Sequence, residues 1–120
     1  MSITDGRIAV LARAMDATAL RHQITATNIA NINTPQYRAQ ELDFESTFRD
    51  ALRRGDLKEA VNVSAKVVER EGAKVKADGN SVHLEHEFGV LQKNAMMFDI
   101  YSSILRGKLQ MMKRAISGQG

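Results

Sequence analysis

The chain contains no cysteine and no tryptophan among its 120 residues. The first absence excludes disulfides and thiolate metal sites. Aromatic residues make up 5%, fewer than a compact core of this length ordinarily holds. No apolar run approaches the roughly 18 residues needed to span a bilayer. The first residues, Met1 to Ile8, show no basic region followed by an apolar stretch. An ordinary secretory signal is therefore not expected. No glycine-rich phosphate loop, nucleophile elbow or paired-carboxylate pocket is visible. A substrate cleft needs more core than these residues offer, so neither catalysis nor a cofactor is expected.

What is present suits helices. Ala, Met, Leu and Ile dominate the apolar set and favour helix packing. The length fits one domain. Net charge is +3, but the distribution says more: +2 over residues 1–40, −3 over 41–87 and +4 over 88–120. Basic ends around an acidic middle suit head-to-tail or lateral self-association, and equally an ordinary solvated surface.

The only proline, Pro35, lies in the stretch Asn28 to Arg38, which also holds Asn31 and Asn33. Before it, Thr4 or Asp5 is expected to cap a helix. Along that helix Ile8, Ala12, Met15, Ala19, His22, Ala26 and Ile29 recur at spacings of four and three. They form one narrow stripe, mostly alanine, that another helix can approach closely. The helix should stop near Asn31–Asn33, because Pro35 biases Thr34 toward extended backbone and asparagine favours helix ends. Thr34-Pro35-Gln36-Tyr37 reads as a β-turn with proline at its second position.

Asp43 or Ser46 is expected to cap a short helix ending at Gly55, with Phe44, Phe48 and Leu52 on one face. Val61, Val63, Ala65 and Val67 then alternate with polar residues. With Val75 beyond Gly72, they predict a β-hairpin around Val63–Val75. Asp78-Gly79-Asn80 is a turn, and Asn80 or Ser81 is expected to cap the last helix. There Phe88, Leu91, Ala95, Phe98, Ser102, Leu105, Leu109, Met112 and Ile116 keep a three-four alternation over four heptads. Met96, Met97, Ile100, Ile104 and Met111 lie off that seam. Apolar positions on more than one face imply helices from neighbouring subunits, with the long helices completing their order on assembly.

The expected fold is mainly α. Long N- and C-terminal helices pair as a coiled-coil-like hairpin, with a short middle helix and a small β-hairpin. Residues 1–38 and 81–120 make a helical assembly core, and 39–80 a small middle region.

Other candidate chemistry is weaker. His83 and His86 stand three residues apart at a helix start, but no motif fixes a third metal ligand. Glu85 and Glu87 suit the positive end of a helix dipole. His22 is read as a packing or interface residue, and the methionines as adaptable packing. Asn28, Asn31 and Asn33 satisfy backbone groups at the helix end and fix register. Arg106, Lys108, Lys113 and Arg114 make a basic patch without a nucleic-acid reader motif, and a membrane-surface role has no stronger support.

Asn28-Ile29-Ala30-Asn31 followed by Thr34-Pro35-x-Tyr37-Arg38 resembles the N-terminal signature of flagellar rod, hook and hook-associated proteins, N-I-A-N-x-x-T-P-G-Y-K/R. Gln36 stands where that family has glycine, so the turn is expected to avoid the positive φ that glycine permits. Leu42-Asp43-Phe44, Asp78-Gly79-Asn80-Ser81-Val82-x-Leu84-Glu85 and the helix at Asn94-Ala95 are similar to the proximal-rod members. The resemblance implies a structural subunit of the bacterial flagellar basal body. It also implies export through the flagellum's own type III apparatus, placement across the periplasm and a part in transmitting torque. Implied partners are other copies of the chain, rod proteins of the FlgC and FlgF-like kinds, the FliE adaptor with the membrane ring, and the export apparatus. Nucleic acid is not among them. The assembly interface is expected at Asn28, Ile29, Asn31, Thr34, Pro35 and Tyr37, and on the last helix at Leu91, Phe98, Leu105, Leu109 and Met112. A rival reading is a helical regulatory or chaperone-like module that binds a flagellar export partner.

Overall fold

The computed structural model describes the backbone of residues 3–118 and the side chains of residues 6–118. Two long helices dominate it: α1 (Ile3–Ala30) and α4 (Leu84–Ser117). At 1.5 Å per residue they are about 42 and 51 Å long. They run antiparallel, since Asn28 meets Glu87 at one end and Asn94 meets Thr18 further along. Between them in sequence come β1 (Gln40–Asp43), α2 (Glu45–Arg53), α3 (Leu57–Val61) and β2 (Lys66–Glu69). The molecule measures 64 × 25 × 15 Å. The mainly α hairpin with a short middle helix and a two-stranded sheet is the expected architecture.

Several expected details change. α1 already runs from Ile3, so Thr4 and Asp5 lie inside it; their side chains fall outside the described residues. The face that α1 buries is Ala14, Ala17, Thr18, Ile24, Thr25 and Asn28. The expected stripe lies elsewhere: Ala12, Ala19, His22 and Ala26 are exposed. Threonine is tolerated inside because Thr18 and Thr25 donate their hydroxyls to Met15 and Arg21 carbonyls, at 2.7 and 2.8 Å.

α4 shows the same rotation. Its buried residues are Glu87 and Asn94, seven apart, while Phe88 and Ala95 one step on are exposed. Leu91, Leu105 and Met112 are half-buried, and Phe98, Leu109 and Ile116 are 40%, 49% and 85% exposed. The regular seam therefore lies to one side of the α1–α4 contact. Neither Asn80 nor Ser81 caps α4; His83 precedes its first residue, without a side-chain cap.

The sheet pairs β1 with β2 antiparallel, Leu42 opposite Val67 and Gln40 opposite Glu69. The partner of the Val67 strand is thus the segment after the proline turn. The Val75 arm forms no strand, and Val75 is 42% exposed. Alternation identified a strand there but not its mate: β1 buries Leu42 alone of its four residues, too short a pattern to read. Val61, expected in the strand, ends α3, whose first turn is capped by Asp56 accepting from the Glu59 amide at 3.0 Å. α2 ends at Arg53 and is followed, as expected, by Gly55, with φ 72°. Its N-cap is Phe44, with no side-chain cap from Asp43 or Ser46.

The apolar core lies between α1 and the middle region. Ala14, Ala17 and Ile24 meet Leu42, Phe44, Phe48, Ala51, Ala60 and Val63. The Phe44 and Phe48 rings stack with centroids 4.7 Å apart, while Leu52 is 39% exposed. Arg13 fastens the far side. It donates Nε to the Val63 carbonyl at 3.1 Å, and its guanidinium sits 5.4 Å over the Phe44 ring.

Candidate functional site

Where α1 ends, the polar residues of the proline segment are spent on holding four pieces of chain together. Asn28 is fully buried. Its Nδ2 donates to the Gln40 carbonyl at 2.8 Å and to Glu87 Oε2 at 3.1 Å. Its Oδ1 accepts from the Gln40 amide at 3.0 Å and the Tyr37 hydroxyl at 3.3 Å. Both donors and both acceptors of the amide are satisfied. The side chain thereby acts as a strand partner for Gln40 while bridging α1 to α4.

Glu87 is also fully buried, and its Oε1 accepts from Arg70 Nη1 at 2.7 Å. Arg70 follows β2, and its own amide donates to the Ala39 carbonyl at 2.8 Å. The knot therefore joins the end of α1, both sides of the sheet and the start of α4. Burial, with the Glu87 charge adding to it, raises the Tyr37 hydroxyl above the usual tyrosine value, so it remains a donor.

A second set of bonds closes the turn. Asn80 Nδ2 donates to the Asn31 and Thr34 carbonyls, each at 2.8 Å, as a second donor to each beside the Thr34 and Tyr37 amides. Asn80 Oδ1 accepts from the Val82 amide at 2.7 Å. The Ser81 amide donates to the Tyr37 carbonyl, and Ser81 Oγ accepts from the Ala39 amide at 2.8 Å. Residues 78–82 thus run beside residues 36–39 as a brace. Asn31 closes the turn from within: Nδ2 donates to the Thr27 carbonyl, and Oδ1 accepts from Thr34 Oγ1.

The Thr34–Tyr37 turn is present, with the Tyr37 amide donating to the Thr34 carbonyl at 3.2 Å. Its conformation overturns one expectation. Gln36 has φ 64°, so a non-glycine residue occupies the left-handed region. With Pro35 at the second position, a positive φ at the third defines a type II turn. The strain persists because the brace fixes Gln36: its amide donates to the Asp78 carbonyl at 2.9 Å. Opposite it, Gly79 has φ 83°, and a Cβ there would lie 3.2 Å from Gln36 Cα. Glycine is therefore needed at 79, while position 36 takes the strain. Gln36→Gly is expected to raise stability by about 0.5–1 kcal/mol, after the added unfolded-state entropy is set against relief of the left-handed backbone. Gln36→Val should lower it by about 1–2 kcal/mol. Urea denaturation of the pair checks the sign.

Of the residues singled out in sequence, Asn28 lies inside the knot. Ile29, Asn31 and Tyr37 are half-buried at its edge, and Thr34 and Pro35 are exposed. Leu91, Phe98, Leu105, Leu109 and Met112 lie along α4, apart from the knot. Sequence reasoning missed Arg70 and the role of Glu87. Their only trace was the seven-residue spacing of Glu87 and Asn94. His83 Nε2 donates to the Lys74 carbonyl, 2.7 Å away, and His22 is exposed. Among the described residues no group of three or more ligand-type side chains converges. The side chains of the knot and brace are engaged in bonds between segments of the chain.

A family model described as flagella basal body rod protein matches residues 8–38, most of α1 and the turn that the knot secures. Over most of its length the chain is similar to proteins named flagellar basal body rod protein FlgB. That of Escherichia coli (strain K12) is 25% identical over 122 residues, 86% of this chain and 87% of the relative. That of Bacillus subtilis (strain 168) is 25% identical over 128 residues, 98% of each. That of Cereibacter sphaeroides is 25% identical, with 94% of this chain and 95% of the relative covered. The matched segment thus ends in the clamp that organises the fold, and the relatives named FlgB are similar to the chain nearly end to end.

Proposed function

We propose that the chain is a structural subunit that assembles through its paired terminal helices into the proximal rod and there transmits torque. Similarity to flagellar basal-body rod proteins supports the coarser part, a structural protein of the flagellar basal body and not an enzyme. The observation that carries the finer part is the uncovered apolar surface of α4, with Phe98 40%, Leu109 49% and Ile116 85% exposed. Monomers rarely leave so continuous an apolar row in water.

In this reading residues 1–38 and 81–120 form the assembly core, and residues 39–80 face outward. Leu91, Phe98, Leu105, Leu109 and Met112 meet neighbouring helices. Ile29, Asn31, Thr34, Pro35 and Tyr37 contact the next subunit at the helix exit, and Asn28 shapes that surface from inside. Other copies, rod proteins of the FlgC and FlgF-like kinds, the FliE adaptor with the membrane ring, and the export apparatus are the proposed partners. Torque passes through interlocked helices, which requires packing and no reactive group.

Leu105→Asp tests the seam. A charge placed between helices without a partner costs several kcal/mol, so swimming should be lost while the amount of protein is unchanged. Normal swimming would remove the seam from the assembly.

A further inference from the structure

α4 bears two opposed features that fit one another. The first is a groove of about 670 Å³ between α4 and the β1–α2 layer, floored by α1. Ala17, Ile24, Leu42, Phe44 and Phe48 make it apolar. Arg49 stands on its α2 lip and Lys93 on its α4 lip. Arg21 and Arg70, also on the groove, are paired with Glu45 and Glu87. Among the described residues neither Arg49 nor Lys93 forms an ion pair. Asn94, 5% exposed, lines the same groove, and its Oδ1 has no hydrogen-bond partner.

The second feature is a ridge on the outer side of α4: Glu85, Phe88, Gln92, Met96 and Asp99, spaced three and four apart and all exposed. Phe88 is 54% and Met96 61% exposed. At 100° per residue the ridge lies roughly 150° round the helix from the Glu87–Asn94 line that faces α1. It is about 21 Å long, and the groove follows α4 from His86 to Tyr101, about 22 Å.

We infer that copies of the chain join head-to-tail, the α4 ridge of one seated in the groove of the next. The inference rests on the rod reading and adds its contact. Phe88 and Met96 enter the apolar floor. Glu85 and Asp99 supply carboxylates for Arg49 and Lys93. Gln92, midway along the ridge, brings an amide donor toward the unpartnered Asn94 acceptor. Ridge and groove are different surfaces of one subunit, so the contact is heterologous and builds a ring or an open helical filament according to whether its rotation closes.

Because the chain has no cysteine, two introduced thiols report this contact alone. The full chain carrying Asn94→Cys and Gln92→Cys replaces the wild-type chain in cells, and isolated basal bodies are oxidised with copper phenanthroline. A ladder of crosslinked multimers, at least ten-fold above either single variant, is expected. Basal bodies that contain the chain but give no ladder overturn the ridge-and-groove contact and leave the rod reading standing. Absence of the wild-type chain from basal bodies overturns both. Should the double variant fail to incorporate, charge reversal decides. Arg49→Glu with Lys93→Glu should reduce swimming at least five-fold, and adding Glu85→Lys with Asp99→Lys should restore it. No restoration overturns the contact.

Discussion

Glu87→Ala is expected to lower the stability of the isolated chain by about 4–8 kcal/mol. The carboxylate is fully buried and accepts from Arg70 and Asn28. Removing it leaves the Arg70 guanidinium, on a side chain only 11% exposed, without its close partner. Breaking one side of a buried pair costs about 3–5 kcal/mol, and an Asn28 donor left unsatisfied adds about 1–3. Domains of this size hold about 5–15 kcal/mol in all, so much of the population would unfold. The paired replacement Glu87→Leu with Arg70→Met removes both charges and should cost less than Glu87→Ala alone, because neither charge is then stranded. Urea titration of the three chains measures the coupling. A Glu87→Ala chain within about 1 kcal/mol of wild type would mean that the knot does not hold the fold.

Asn28→Asp should cost nearly as much, about 4 kcal/mol at neutral pH, although it changes only one amide to a carboxylate. The Nδ2 donor faces the Gln40 carbonyl and the Glu87 carboxylate. A carboxylate oxygen there meets two acceptors, one of them charged. The crowding raises the new Asp pKa in the folded state above its unfolded value. Such a group favours the fold at low pH, and that contribution is lost as pH rises through the folded pKa. Stability of the variant should therefore recover in part on acidification. Asn28→Ala, with no proton to gain, should fall by about 3–5 kcal/mol and show no such recovery relative to wild type. Equal pH profiles for the two variants would place Asn28 outside the polar network.

Both residues illustrate what the sequence made legible. The helix stop was readable, because one proline and three asparagines leave few alternatives to a terminated helix and a turn. The pairing of the long helices was readable from their small and apolar content. The contacting faces were not. Heptad counting rewards apolar residues, and the side chains nearest the α1–α4 contact include Glu87, Asn94 and Thr18, which a hydrophobic count passes over. The regular stripes it found are those left uncovered in one copy, including Phe98, Leu109 and Ile116. Periodicity thus registered surfaces that a single chain does not bury.

The sheet failed for a different reason. A strand that pairs across more than 20 residues has no local turn to announce its mate, and β1 offers four residues with one buried. Gln36 was misread because the left-handed conformation follows from the brace, which lies 42 residues later, and a dihedral preference is only a local prior. Asp78 to Asn80 form the expected turn, the Gly79 amide donating to the Lys76 carbonyl. Asn80 and Ser81 do not cap α4; the bonds of residues 78–81 run back to Asn31, Thr34, Gln36 and Tyr37.

The knot also dictates when the molecule can close. Asn28 and Glu87 are separated by 59 residues. At about 5–20 residues per second, a ribosome needs about 3–12 s to deliver the second after the first. During that interval α1 has neither its Glu87 acceptor nor the Asn80 brace. A nascent N-terminal half thus carries the apolar core without its clasp, which the last third of the chain supplies.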